Sequence, residues 1–77
     1  MPRFYFHIYD EVETLDLDGL ELPGIEAAIA VAIHELRQLA AYELKREGKV
    51  DMAARIDITD DAGRIVERVH FDDVLDS

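Results

Sequence analysis

The chain has no cysteine among its 77 residues. Disulfide bonds, thiolate zinc sites and cysteine nucleophiles are therefore excluded, and the composition fits a reducing compartment. Serine is almost missing as well, since the only one is Ser77, and no pairing of a nucleophile with a histidine base is visible in the pattern. The four glycines occur singly, which excludes a glycine-rich loop of the kind that holds phosphates.

Positive charge is scarce, because 8 lysine and arginine residues stand against 18 carboxylates and the net charge is −10. Nucleic-acid binding needs basic residues to displace counterions from phosphate, so we expect no nucleic-acid partner. An anionic membrane surface is disfavoured for the same reason. The longest apolar run, AAIAVAI at 27–33, is far shorter than the roughly 20 residues of a membrane-spanning helix. We expect a soluble, cytoplasmic protein without membrane contact.

Alternating side chains mark the strands. The clearest pattern is RFYFHIY at residues 3–9, in which Phe4, Phe6 and Ile8 fall on one face and the intervening residues on the other. Weaker strand patterns cover residues 12–16, 54–60 and 64–71. In the last of these Glu67 falls among apolar residues, which predicts either a β-bulge or a position of Glu67 beyond the edge of the helix.

From Gly24 to about Glu47 the apolar residues recur with the period of an α-helix, and Gly48 suits the position after its last turn. The order is β-β-α-β-β. It predicts an α+β fold in which a four-stranded antiparallel sheet, in the strand order 2-1-3-4, carries one long helix on one face. The helix, about 35 Å long, should overhang the sheet at one end. We expect residues 1–77 to form a single α+β domain.

The segment 10–26 holds seven carboxylates and no basic residue, which raises the question of a calcium loop. An EF-hand needs ligands at positions 1, 3 and 5, glycine at position 6 and glutamate at position 12. With Gly19 at position 6, Thr14 falls at position 1 and Ile25 at position 12, and neither fits. The sequence therefore predicts a turn at Asp18 and Gly19, with loose cation binding left open.

The three histidines do not form a convincing metal site. His34 lies on the polar side of the helix, whereas His7 and His70 fall on strands that are two apart in the predicted sheet, so that Asp57 would have to bridge them. We expect no metal site, no cofactor and no catalytic residues, and hence a protein that is not an enzyme.

Two surfaces are candidates for contact with a partner, because tyrosine and arginine are enriched in protein interfaces. The first is the sheet face that the helix leaves uncovered, and the second is the flank of the helix beside its core stripe. The face contains Arg3, Tyr5, His7, Tyr9, Arg55, Asp57, Arg68 and His70, and the flank contains Ala27, Val31, Gln38 and Tyr42.

Four motifs, spread over nearly the whole chain, resemble those of a family of short, uncharacterised bacterial domains. These domains open with Met-Pro-Arg-aromatic-aromatic-Phe-His and place an acidic-Gly-Glu-Leu-Pro segment before an alanine-rich helix. Gly24 departs from the family pattern, which usually has an acidic residue there. The resemblance implies family membership but no established activity. The matching stretches are MPRFYFH (1–7), DGLELPGIEAA (18–28), DDAGR (60–64) and VHF (69–71).

These observations together predict a small acidic domain that acts as a non-enzymatic protein-interaction or regulatory module and forms a homodimer. The alternative is a small-ligand or metal-binding domain that uses the outer sheet face or the acidic segment 10–26. The first predicts a dimer in solution, and the second predicts a monomer that one ligand or cation stabilises.

Overall fold

The computed structural model describes residues 1–75. The elements follow the order β-β-β-α-β-β-α, with one long helix in the described residues. Within this part of the chain no helix has the length and apolar character needed to cross a membrane. The strands are β1 (Arg3–Tyr9), β2 (Glu13–Thr14), β3 (Leu20–Glu21), β4 (Arg55–Thr59) and β5 (Ile65–His70), and the helices are α1 (Ile25–Glu47) and α2 (Phe71–Leu75).

The predicted α+β class, antiparallel sheet and long helix are confirmed, but the predicted sheet of four strands in the order 2-1-3-4 is wrong. The sheet has five strands in the order β2-β1-β4-β5, and β3 also pairs with β1. The predicted strand 12–16 shrinks to β2, because the chain leaves the ladder after Thr14 and returns to β1 only at Leu20. A pairing of two residues is too short to leave a pattern in the sequence.

Helix α1 packs its small side chains on the inner face of the sheet. Ala28, Ala32 and Leu36 are fully buried and follow one another at intervals of four residues. They contact the core formed by Ile56 and Ile58 of β4, which are also fully buried. Alanine lets the helix axis approach the sheet closely. Because α1 packs on this face alone, the other sheet face has no covering helix or strand among residues 1–75.

The helix ends where the sequence predicts. Gly48 has φ 75° and its backbone N–H donates to the carbonyl of Leu44 at 2.9 Å, which is a common way to close a helix. The fully buried positions stop at Leu36, and Tyr42 and Leu44 are 60% and 57% exposed. The last turns of α1, beyond the half-buried Leu39 and Ala40, therefore overhang the sheet, as its length predicts.

A β-bulge lies in the last strand next to Glu67. The register between β4 and β5 shifts at Ile58 and Thr59, which pair with Glu67 and Ile65, so that Val66 is the extra residue. The predicted bulge is confirmed, and it moves Ile65 to the face of Thr59. Glu67 itself pairs with Ile58 on the face that α1 covers and is exposed, which agrees with the other explanation, a position beyond the edge of the helix.

Candidate functional site

The outer face of the sheet brings the predicted interaction residues together. Residues that pair directly across strands lie on the same face, and two such rows cross the sheet. One row contains His7, Asp57 and Arg68, and the neighbouring row contains Tyr9, Arg55 and His70. Tyr5 and Arg3 continue the same face along β1. The whole predicted interaction face is therefore one surface, although its use by a partner stays a prediction.

Asp57 differs from the other members of this face, because it is only 4% exposed. One of its oxygens, Oδ1, accepts the Nε–H of Arg55 at 3.1 Å and faces the Nε of Arg68 at 3.3 Å. A buried carboxylate is costly unless it is paired, and these two arginines provide the pairing. Asp57 is thus an internal support for the two guanidinium groups and cannot itself be a point of contact for a partner.

The guanidinium group of Arg55 is held from a second side by Tyr9. Its central carbon lies 4.5 Å from the centroid of the Tyr9 ring, within the range of a cation–π contact. The terminal NH₂ groups of Arg55 and Arg68 donate no hydrogen bond within residues 1–75. The face therefore carries two guanidinium groups beside one buried carboxylate, and both have unused donors.

His7 lies at the centre of a hydrogen-bond chain that joins β1 and β4 to the segment between β2 and β3. Its Nδ1 accepts the backbone N–H of Asp16 at 3.1 Å, and its Nε2 lies 3.1 Å from the hydroxyl oxygen of Thr59. A backbone N–H can only donate, so Nδ1 carries no proton and Nε2–H donates to Thr59. This tautomer cannot take a proton from the threonine, and the pair is not a nucleophile with its base.

Asp16 is the residue that the sequence analysis missed. Its Oδ2 accepts the N–H of Phe6, and its Oδ1 accepts those of Asp18 and Gly19, all at 3.1 Å. The carboxylate replaces the strand partner that β1 lacks between β2 and β3. Partial burial raises the pKa of Asp16, but the three backbone N–H groups outweigh this effect, and the pKa lies below its usual value of 3.8.

The hydrogen bonds of Asp16 bear on the question of whether the acidic segment 10–26 forms a calcium loop or a turn. The oxygens of Asp16 are occupied by backbone donors, and Gly19 has the positive φ of 69° that a turn requires. The predicted turn is confirmed. The only feature of the sequence that signals the role of Asp16 is an aspartate three residues before a glycine, and this spacing also occurs in ordinary turns. Within residues 1–75 no group of three or more potential ligands is placed to hold a metal ion.

One residue of the predicted helix flank, Val31, faces a groove along the β2–β3 edge of the sheet. Val31 lines this groove, whose volume is about 330 Å³, together with Phe6, Ile8 and Leu20. Farther along α1, Tyr42 lies beside the exposed Val12. Ala27 and Gln38, the other two members of the flank, lie on the first turn and near the middle of α1 and are half-buried and exposed.

A second carboxylate cluster surrounds Glu43 at the overhanging end of α1. The Oε1 atom of Glu43 is shut off from solvent and has no hydrogen-bond partner within the described residues. Burial raises the pKa of Glu43, and the charges of neighbouring carboxylates raise it further. The protonated form is therefore favoured relative to an ordinary glutamate. The neighbouring carboxylates belong to Asp10, Asp51, Glu47 and Glu11.

Comparison with known proteins gives one match. A family model described as "Domain of unknown function (DUF6894)" covers residues 3–72. No curated protein and no solved structure matches the chain.

Proposed function

Because the chain belongs to the DUF6894 family of domains of unknown function, we propose from its own geometry that it is a non-enzymatic protein-interaction or regulatory module. It acts as a homodimer in a bacterial cytoplasm. The observation that carries this proposal is the concentration of exposed apolar side chains beside the groove under Val31.

We call this surface the apolar edge: Val12, Leu15, Leu17, Leu20, Val31 and Tyr42. Leu15 and Leu17, on the segment between β2 and β3, are 53% and 86% exposed, and Leu20 is 45% exposed. Contact of such groups with water is unfavourable, and clusters of them on a soluble domain mark surfaces for association. The groove beside them has Phe6 and Ile8 among its lining residues.

A second copy of the chain fits the apolar edge, because the edge offers both a projection and a recess. A two-fold interface uses the same patch on both subunits, so each feature must find its complement on the same surface. Leu17 is the most exposed side chain of the edge, and the groove lined by Leu20 and Val31 is the recess next to it. Two copies can therefore exchange these contacts reciprocally.

Addition of a partner strand is a poor alternative at this edge. β2 and β3 have only two residues each, and the carboxylate of Asp16 already occupies the N–H of Phe6 between them. Short, interrupted edges of this kind resist strand-to-strand association. The contact we propose is therefore made by side chains.

The non-enzymatic part of the proposal is supported by the hydrogen bonds of His7. Both ring nitrogens have partners, and the tautomer that these partners require leaves no acceptor for a proton from Thr59. Within residues 1–75 we find no other histidine bonded to a hydroxyl group. Catalysis by a nucleophile and its base has no candidate pair in this part of the chain.

The test is the solution mass of the wild type and of two matched variants. Leu20→Glu places a charge in the apolar edge, and Ile65→Glu places the same charge at the opposite edge of the sheet. The two side chains have similar exposure, 45% and 48%. We expect a dimer for the wild type and for Ile65→Glu, and a folded monomer for Leu20→Glu.

Circular dichroism of each variant shows whether it is folded. A wild type that stays monomeric at the highest concentration the chain tolerates would overturn the proposal, as would a Leu20→Glu variant that remains a dimer. The first result would make the outer sheet face the candidate surface for a small ligand.

A further inference from the structure

The outer sheet face carries a pair of arginines whose orientation is fixed by the fold. Arg55 on β4 and Arg68 on β5 both direct their Nε atoms to the same oxygen of Asp57, at 3.1 and 3.3 Å. The two Nε atoms are therefore no farther apart than the sum of these two distances. From this juxtaposition we infer that Arg55 and Arg68 form an oxyanion-binding site that takes a phosphate group.

Pre-organisation is the first argument. A long arginine side chain loses considerable rotamer freedom when it binds a ligand. Here the buried Asp57 holds both guanidinium groups, and the ring of Tyr9 packs on Arg55 at 4.5 Å. Much of this loss has occurred before a ligand arrives. The side chains of Arg55 and Arg68 remain 36% and 54% exposed, so a ligand can reach them.

Unused donors are the second argument. Each guanidinium group has five N–H bonds. Arg55 donates only its Nε–H, to Asp57, and Arg68 contacts Asp57 as an ion pair through Nε without a hydrogen bond within the described residues. Their NH₂ groups have no acceptor within residues 1–75. Two guanidinium groups from different strands can surround a tetrahedral phosphate with several N–H donors. A planar carboxylate needs only the two parallel N–H donors of a single guanidinium group. The geometry therefore favours phosphate over carboxylate.

The position of the carboxylates is the third argument. The chain has a net charge of −10, and the two cross-strand rows contain two arginines and two carboxylates, those of Asp57 and Glu13. Glu13 pairs with Tyr9 at the far end of its row and makes no ion pair with Arg55 within the described residues. Because Asp57 is buried and Tyr9 lies between Glu13 and Arg55, the exposed charged groups where the anion would bind are the two arginines.

The proposed site is independent of dimerisation, because it lies on the sheet face opposite α1. It is tested by titrating the full chain with inorganic phosphate, and separately with methyl phosphate, at constant ionic strength. The readout is the ¹H–¹⁵N signals of the Arg55 and Arg68 Nε–H groups. We expect saturable shifts with phosphate, and tighter binding of methyl phosphate would indicate a phosphate ester as the ligand.

Three variants make the test specific. Arg68→Gln should weaken phosphate binding about tenfold or more, since a charged hydrogen-bond partner is lost. Arg64→Gln removes the same charge from an arginine that is 81% exposed and is paired with Asp60 instead, and it should bind like the wild type. Arg68→Lys keeps a cation beside Asp57 and so protects the fold, but it should also bind more weakly because the planar fork is gone.

The inference is overturned if the wild type shows no saturable shift with either probe. It is equally overturned if Arg68→Gln and Arg68→Lys bind phosphate as tightly as Arg64→Gln, because the response would then be a general effect of ions. Circular dichroism without phosphate confirms that each variant is folded before it is titrated.

Discussion

Replacing Asp16 with asparagine tests the structure of the β2–β3 edge most sharply. The substitution keeps the size of the side chain and removes its charge and one of its acceptor oxygens. In the wild type Oδ1 accepts two backbone N–H groups and Oδ2 accepts the N–H of Phe6. Asparagine can keep the first pair, but its NH₂ group then faces the N–H of Phe6, and two donors cannot bond to each other.

The expected cost follows from this lost bond. Hydrogen bonds to a charged group contribute about 1.5–3 kcal/mol, and a partly buried donor without an acceptor costs a similar amount. We therefore expect Asp16→Asn to lower the free energy of unfolding by about 1.5–3 kcal/mol at pH 7. For a domain of this size each kcal/mol corresponds to roughly 4–8 °C in Tm.

The assay is thermal and urea unfolding followed by circular dichroism, with Asp18→Asn as the control. Asp18 is an exposed neighbour, and its side chain accepts no hydrogen bond within the described residues. The control makes the same chemical change two positions away, so it should shift Tm little. The difference between the two variants isolates the contribution of the Asp16 carboxylate.

The effect must also depend on pH. The pKa of Asp16 in the folded chain lies below its usual value of 3.8, so its contribution to stability is fully present above that value. It is lost as the pH falls through the lowered pKa. The gap between the wild type and Asp16→Asn should therefore narrow in strong acid. A gap that is the same at every pH, or a Tm equal to that of Asp18→Asn, would refute this explanation.

Three further predictions concern the core, the turn and the acidic end of α1. Leu36→Ala removes a fully buried side chain and should cost about 2–5 kcal/mol in a urea titration. Gly19→Ala would place a Cβ atom 2.8 Å from Cε2 of Tyr5 and 2.9 Å from the carbonyl oxygen of Phe4 at φ 69°. It should therefore lower Tm more than Ala substitution of an ordinary exposed residue. Glu43→Gln should stabilise the chain at pH 7 by less than about 1 kcal/mol, because solvent screens this half-exposed group. The pKa of Glu43 in the folded chain is raised from 4.5, so the ionised side chain destabilises the fold once the pH rises through that pKa. The stabilisation by Glu43→Gln should therefore vanish in acid, where Glu43 is protonated.

The long helix was predictable because its signal extends over many residues. Apolar positions recur with the helical period from Ile25 onward, and Gly48 follows the last turn. β1 was predictable for a similar reason, since seven alternating residues suffice to define two faces. These two elements, with the weaker strands 55–59 and 65–70, establish the α+β class.

The small strand β3 and the role of Asp16 could not be predicted from the same patterns. Both depend on where the chain leaves β1 and where it returns, and this is decided by contacts between residues that are distant in sequence. The N–H of Phe6 finds its acceptor ten residues away on Asp16. Local propensity does not contain this information, and the segment 15–19 therefore resembled an ordinary acidic turn.

The outer face was predicted as a set of residues but not as an arrangement. Alternation places Arg55, Asp57 and Arg68 on one side of the sheet, whereas their ion pairs depend on the register between β4 and β5. That register is what buries Asp57 and leaves the arginine NH₂ groups free. The same limit applies to the groove under Val31, because its lining residues come from three separate segments of the chain.

Association through the apolar edge is tested most directly by an isotope-filtered NOE experiment. Equal amounts of chain with ¹³C-labelled Leu and Val methyl groups and of unlabelled chain are mixed, so that only contacts between copies are detected. We predict intermolecular NOEs between the methyl groups of Leu17 and side chains that line the groove, such as Val31. The absence of intermolecular NOEs, or their restriction to Tyr5 and Tyr9 on the outer sheet face, would contradict the proposed interface.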